Sequence, residues 1–522
     1  MDEKSIKRIY RIGIGVFILF ALLIVRLGSA QLITGMAYAE KAVKQRTVRI
    51  ALYNSRGRIL DRSGIPFTDR ETTKKLIVFP AMVQDDSVYE YIYSVTGKKR
   101  DDVKKAADNR SYVVLDVLDD TTAIPQNAGG ILLVEVPRRY GQDMLALHVV
   151  GYTDKSNRGV QGIEKAYDSL LKGTGSYSIN AVVDAKRRMV PGIGYTVIDE
   201  RRGAQDITLT LDYHIQKIAE QAMDKNKNTG AAVVMDVHTG DILAMANRPA
   251  FDPYNIEKAD GDALLNKALL DVSPGSVFKI VVAAAALDTG KADLDTEFKC
   301  DGYVDIKGRR FGCDVHKDGA GFLDMKQAFA VSCNSYFIQL AQLVGGDDIV
   351  RYAQAFGLGH VIDGIPDQQP GLLPGKEEYA GPGIGNLALG QGKVEATPLQ
   401  IAAMVATVAN GGIKPAVSLV EGQGSGQSAR VVSPLTAYKL MTLMEEVTIN
   451  GSGKRAYSDM VGGTAGKTGT PDVGPYAWFA GYFPVHAPEY AIVVLTYNDG
   501  YGGQMAAPIF KDIAEGIYKI YK

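Results

Sequence analysis

Cysteine is scarce in this 522-residue sequence. Only Cys300, Cys313 and Cys333 occur, at spacings that match neither the C-x2-C pairs of zinc sites nor the dense pattern of a small disulfide scaffold. No metal and no cofactor is expected on that ground. The three read as free thiols or, in an oxidising compartment, as a Cys300 to Cys313 pair plus one thiol. Histidine is sparse as well, with six residues and no H-x-x-x-H pair. An excess of charge of either sign is also missing: 58 Lys and Arg stand against 59 Asp and Glu, a formal net of -1. That balance excludes a polyanion binder working by bulk electrostatics, so nucleic acid is not an expected partner. No solenoid-type repeat is present, and Gly422 to Gly426 is the only low-complexity patch.

Apolar runs of membrane length are absent except at the N-terminus. Lys4, Lys7, Arg8 and Arg11 precede an uncharged run from Ile12 to Val25, Arg26 interrupts, and apolar residues resume as far as Ile33. The first run alone falls short of the roughly 20 residues that cross a bilayer. Extended to Ile33 it suffices, with Arg26 snorkelling at the outer interface. The basic cluster implies a cytoplasmic N-terminus and an extracytoplasmic remainder. Cleavage as a signal peptide at Gly28-Ser29-Ala30 is the competing reading; the apolar stretch continuing past Arg26 favours an uncleaved, single-pass anchor.

The length calls for more than one folded unit. Residues 1–35 read as tail and anchor, 36–203 as an irregular α+β module without concentrated chemistry, and 204–522 as a second α+β domain. In the latter, Ala231 to Met235 and Ile242 to Ala246 flank the turn Val237-His238-Thr239-Gly240 as a hairpin. Ala477 to Phe483 and Tyr490 to Thr496 are strand-like, and Pro508 to Tyr518 is helical. Strands at both ends with helices between imply one sheet assembled from the two ends of the domain.

Three short segments carry chemistry. In Ser273-Pro274-Gly275-Ser276-Val277-Phe278-Lys279, Ser273 is expected to cap a helix whose first turn holds Ser276, with Lys279 one turn later on the same face. Serine needs a base to become a nucleophile, and a lysine whose pKa is lowered by burial can serve. Ser332-Cys333-Asn334 supplies a hydroxyl to relay a proton and an amide to hold a substrate carbonyl. Lys467-Thr468-Gly469-Thr470 opens a strand, with Lys467 as a cation for a carboxylate and Gly469 allowing close backbone approach. A phosphate-loop reading of Gly466-Lys467-Thr468 fails because position 461 is Val461.

The order S-x-x-K, S-x-N, K-T-G resembles the signature of penicillin-binding proteins and serine β-lactamases. Arg56-Gly57-Arg58-Ile59-Leu60-Asp61-Arg62, Gly162-Ile163-Glu164 with Tyr167, Gly390-Gln391-Gly392, Thr397-Pro398-Leu399-Gln400 and Trp478-Phe479-Ala480-Gly481-Tyr482 are also similar to that family. No glycosyltransferase module fits before residue 200, so the chain resembles the class B, monofunctional transpeptidases. The resemblance implies an α+β fold: a single transmembrane helix, a pedestal of dimerisation type, and a transpeptidase domain with a central antiparallel sheet. It implies a peptidoglycan D,D-transpeptidase acting on stem peptides ending in D-Ala-D-Ala through an acyl-serine at Ser276, inhibited by β-lactams. Lys279, Ser332 and Lys467 would share the proton transfers. Asn334, Thr468, Gly469 and Thr470 would hold substrate, and the backbone N–H groups of Ser276 and Thr470 would form the oxyanion hole. The implied setting is the bacterial plasma membrane, beside a polytopic glycan polymerase, in wall synthesis that sets cell shape or division. A membrane-anchored β-lactamase or a catalytically silent wall scaffold is the alternative.

Overall fold

The computed structural model describes residues 2–33, 35–107, 111–119, 122–125, 129–183, 195–200, 202–424, 428–498 and 500–521. Helix Glu3–Gly28 passes through a π-turn, Ser29–Ile33, to make one span long and apolar enough to cross a membrane, the only such helix among the described residues. Asp2 caps its start, accepting from Ser5 N at 3.0 Å. Gly422–Gly426 falls partly outside the described residues.

The chain forms two compact units, neither contiguous in sequence: 1–56, 72–138 and 173–204 make one, and 57–71, 139–172 and 205–522 the other. Two stretches inside the 36–203 span of the sequence reading therefore pack with the C-terminal unit. In the first unit, Val113–Asp116, Glu71–Val78 and Ile131–Arg138 form one sheet in that order, and Thr47–Arg56, Lys172–Val182 and Tyr195–Asp199 another. Helix Asp86–Thr96 is capped by Asp85, which accepts from Ser87 N, and ends at Gly97 in the left-handed region. Its residues Val88, Ile92 and Val95 recur at helical spacing and pack on Leu76, Val78 and Leu115.

The second unit is built on a five-stranded antiparallel sheet in the order Ile242–Arg248, Gly230–Asp236, Tyr490–Thr496, Ala477–Phe483, Ala465–Gly469. The two ends of the domain thus supply it, as the sequence pattern implied. The Asp236 carboxylate accepts from His238 N and Thr239 N, which fixes the hairpin turn. Alternate residues serve opposite faces. Ile492 and Val494 pack with Phe479 and the helices Tyr213–Lys225 and Gly502–Tyr521, where the Phe479 and Phe510 ring centroids lie 4.7 Å apart. Val493 and Leu495 face the larger core that includes helices Lys279–Asp288 and Pro398–Ala409. Burial of both faces explains why these strands are continuous apolar runs rather than alternating ones. Pro508 is accommodated inside the closing helix, which starts at Gly502, six residues before the expected start.

The stretches 57–71 and 139–172 are joined to each other by buried charge. Arg139 donates to Asp69 Oδ2 at 2.6 Å, to the Gly57 carbonyl at 2.7 Å and to Glu164 Oε1 at 2.8 Å, and Tyr140 donates to the same carboxylate. Burying so many charges holds only because each is paired.

Candidate active site

Ser276 lies in a single 3-10 turn, Gly275–Phe278, that runs into helix Lys279–Asp288. In a 3-10 turn residues i and i+3 eclipse, so Ser276 and Lys279 share a face. The expected Ser273 cap is not made: its hydroxyl donates to the Gly390 carbonyl at 2.7 Å, and Pro274 holds the capping position. The Gly390 carbonyl also accepts from Gly275 N, and the Trp478 indole donates to the Ser273 carbonyl at 3.0 Å. The turn that holds Ser276 is thus tied on one side to the Gly390 carbonyl and on the other to the Trp478 indole.

Gly275 has φ of +54°, a conformation that favours glycine, and a Cβ there would stand 3.0 Å from Pro471 N and 3.1 Å from Thr470 C. At Gly469 an added Cβ would come within 2.6 Å of the Pro274 carbonyl oxygen. These close approaches set the backbone of Ser276 beside that of Thr470.

Ser332 ends helix Met325–Val331 in the left-handed region, φ 65° and ψ 42°, and Cys333 caps the helix that begins at Asn334. This reversal points Ser332 and Asn334 at Lys279. The Lys279 amine, fully buried, donates to the Ser332 carbonyl at 2.8 Å, to Ser332 Oγ at 3.2 Å and to Asn334 Oδ1 at 2.7 Å. Burial pushes its pKa down to about 8, with the Cys333 and Cys313 thiols and the Asp314 and Asp472 carboxylates opposing. Lys467 is buried on strand Ala465–Gly469 and donates to the Thr468 carbonyl at 3.1 Å. Burial, and then the charge on Lys279, hold it well below the usual lysine range. Two buried ammonium groups repel one another, which disfavours both lysines carrying a charge at once.

Ser276, Ser332, Asn334, Thr468 and Thr470 line one cleft of about 380 Å³, with both lysines buried behind its wall. The cleft has further walls that sequence motifs did not reveal, among them Asp314, Gln391, Ser452, Arg455 and Asp472. Ser452 Oγ and Thr468 Oγ1 are 2.7 Å apart, and Thr470 Oγ1 accepts from Gly502 N. Only adjacency in space marks these residues.

The cysteines also converge. Sulfur atoms of Cys300, Cys313 and Cys333 and a ring nitrogen of His316 all lie within 4.8 Å of one another. All three cysteines are free, so the Cys300 to Cys313 pairing is not made, and the sulfurs of Cys313 and Cys333 are 3.6 Å apart. Sequence spacing concealed this set because Cys333 arrives from a different segment than the other three.

Residues 230–515 match the family model described as the penicillin binding protein transpeptidase domain, and residues 51–193 the penicillin-binding protein dimerisation domain. The chain is 27% identical over 548 residues to stage V sporulation protein D of Bacillus subtilis, covering 95% of this chain and 83% of that protein. It is 28% identical over 511 residues to the peptidoglycan D,D-transpeptidase FtsI of Escherichia coli K12, covering 89% and 83%. A solved structure described as the structural coordination of polymerization and crosslinking by a peptidoglycan synthase complex superposes with a TM-score of 0.70 at 24% identity, covering 99% of both chains. At that identity the likeness is one of fold.

Proposed function

The chain belongs to the class B penicillin-binding proteins, a peptidoglycan D,D-transpeptidase family, and we propose that Ser276 is its acylated nucleophile. The observation that carries this reading is the single cleft lined by Ser276, Ser332, Asn334, Thr468 and Thr470, with the Lys279 amine bonded to Ser332 and Asn334. Ser276 Oγ attacks the carbonyl of the penultimate D-alanine while Lys279, in its neutral form, takes the hydroxyl proton. The oxyanion forms between the backbone N–H groups of Ser276 and Thr470, where charge exists only in the tetrahedral state. Ser332 and Lys467 return a proton to the leaving D-alanine nitrogen, and the C–N bond breaks. Thr468, Thr470 and the strand backbone at Gly469 hold the terminal carboxylate, whose arrival raises the proton affinity of Lys467. Asn334 orients the stem peptide. An amine of a second stem then attacks the acyl ester, its proton leaving by the same relay, and the cross-link forms with Ser276 regenerated.

Residues 1–35 serve as the anchor, the remaining parts of the first unit as a pedestal, and the unit made of 57–71, 139–172 and 205–522 carries catalysis. The basic cluster from Lys4 to Arg11 supports a cytoplasmic N-terminus and an extracytoplasmic cleft. A membrane-embedded glycan polymerase is the partner this arrangement suits, in keeping with the synthase complex whose fold it shares. β-Lactams enter as acylating mimics of the D-Ala-D-Ala end. Labelling with a fluorescent penicillin tests the assignment: Ser276→Ala should abolish it, and stoichiometric labelling of that variant would refute the role of Ser276.

A further inference from the structure

We infer that Asp472 reads the residue preceding D-Ala-D-Ala in the donor stem and selects one whose side chain ends in a free ammonium group. The inference rests on the reading of Ser276 as the nucleophile. Strand Ala465–Gly469 is an outer strand of the central sheet, and an extended peptide recognised there lies along its open edge as an added strand. Thr468, Thr470 and Asp472 are alternate residues on and beyond that strand, and all three line the cleft. Alternate residues of an extended segment share a face, and Pro471, between the last two, is buried.

This row has a direction. At its start Ser452 Oγ lies 2.7 Å from Thr468 Oγ1, and Lys454 and Arg455, which follow Ser452 in the chain, also line the cleft as cations suited to a terminal carboxylate. The Thr470 N–H receives the oxyanion. A donor with its carboxylate at Thr468 and its scissile carbonyl at Thr470 continues away from Ser452, and the next side chain in the row is Asp472. Cations thus stand at the end that takes the carboxylate, and an acid at the end that takes the rest of the stem.

Asp472 is also placed and left free for such a role. A Cβ on Gly275 would stand 3.0 Å from Pro471 N and 3.2 Å from Pro471 Cα, so the segment abuts the residue before Ser276. The proline ring fixes φ there and limits the directions in which the chain leaves towards Asp472. The other acid of the cleft, Asp314, is approached at 3.5 Å by Asn334 Nδ2. The Asp472 carboxylate is exposed and has no hydrogen bond or ion pair among the described residues. An ammonium on a flexible stem of about four carbons spans from a neighbouring backbone to such a group. Because the pair forms in solvent, it discriminates by a modest factor and weakens with salt.

The test uses the full chain in detergent and two donors, Nα-acetyl-L-lysyl-D-alanyl-D-lactate and its Nε-acetylated form. The ratio of their kcat/KM values for D-lactate release separates recognition from overall rate, so a variant that is slower as a whole still reports. Wild type should prefer the free amine by about three- to tenfold at low ionic strength, with the preference shrinking as salt is added. Asp472→Asn should bring the ratio to about one, and Asp472→Lys should favour the glutamyl analogue of the donor over the lysyl one. A wild-type chain labelled by fluorescent penicillin at Ser276 that shows no preference would overturn the inference and leave the nucleophile standing. Failure of that labelling would overturn both. A preference that survives in Asp472→Asn, or that appears only when an acceptor amine is supplied, would remove Asp472 from donor recognition.

Discussion

The Lys279 amine donates to Asn334 Oδ1 at 2.7 Å, so the helix that follows the Ser276 turn and the helix opened by Asn334 are locked through one buried nitrogen. With Ser332 supplying the other two acceptors, all three N–H bonds of an ammonium are used. A charged Lys279 is thus a well-satisfied group, and it must lose a proton before it can act as a base.

The pH dependence of acylation follows. With the Lys279 pKa near 8, about a tenth of molecules hold it neutral at pH 7. The second-order rate constant for β-lactam acylation should rise with pH through about 8 and level off above it, as stopped-flow rates would record. A rate that is flat between about pH 6.5 and about pH 9 would remove Lys279 from the base role.

Asn334→Ala takes away one of three acceptors from a buried ammonium. The unsatisfied donor should cost about 1 to 3 kcal/mol, and acylation should slow by on the order of a hundredfold. Thermal unfolding and nitrocefin burst rates measure the two effects. A variant acylated at the wild-type rate would mean that the contact is only structural.

Gly390→Ala tests the support beneath the nucleophile. Gly390 has φ of +64°, and a Cβ would stand 2.3 Å from the Gly275 carbonyl oxygen and 2.5 Å from Phe278 Cβ. The turn holding Ser276 would have to shift, at a cost of about 1 to 3 kcal/mol. Acylation should fall by at least about tenfold, since small misplacements of a nucleophile are expensive.

His148 sets a limit on acid stability. Burial pushes its pKa down from 6.5 to about 4, although its ring bonds the Ala263 carbonyl. Because the folded-state value is the lower one, the stabilisation is whole above about pH 6.5 and is lost as pH falls towards about 4, by roughly 3 kcal/mol in all. His148→Gln should show a smaller drop in Tm than wild type between about pH 7 and about pH 5. Parallel drops would show that other groups govern acid unfolding.

Strands were legible where composition left one choice. Ala477–Phe483 and Tyr490–Thr496 are runs of aromatic and β-branched residues bounded by Pro484 and Asn498, and they end where the sequence pattern ends. The sequence pattern starts the closing helix at Pro508, a residue suited to a first turn, whereas the helix opens at Gly502 and takes Pro508 into its interior. Ser273 was read as a cap because nothing in sequence reveals that the Gly390 carbonyl lies closer to its hydroxyl. The three motifs were visible as local spacings, yet the depressed proton affinity of Lys467 comes first from its burial and then from Lys279, a lysine of another segment. The Arg139, Asp69 and Glu164 network and the cysteine cluster were hidden for the same reason: their members are distant in the chain.

The order of the central sheet bears on how the enzyme is made. Its first hairpin, Gly230–Asp236 with Ile242–Arg248, is synthesised long before its middle strand, Tyr490–Thr496, which pairs Tyr490 with Asp236. Contacts so remote in sequence form late and slowly. Ser276 and Ser332 therefore emerge from translation well ahead of the strand that bears Lys467 and Thr470. A chain crossing the membrane as it is made would be inert towards substrate and antibiotic alike until Ala465–Gly469 and Tyr490–Thr496 have been made and paired into the sheet. Catalytic competence would mark the arrival of the sheet's middle strand.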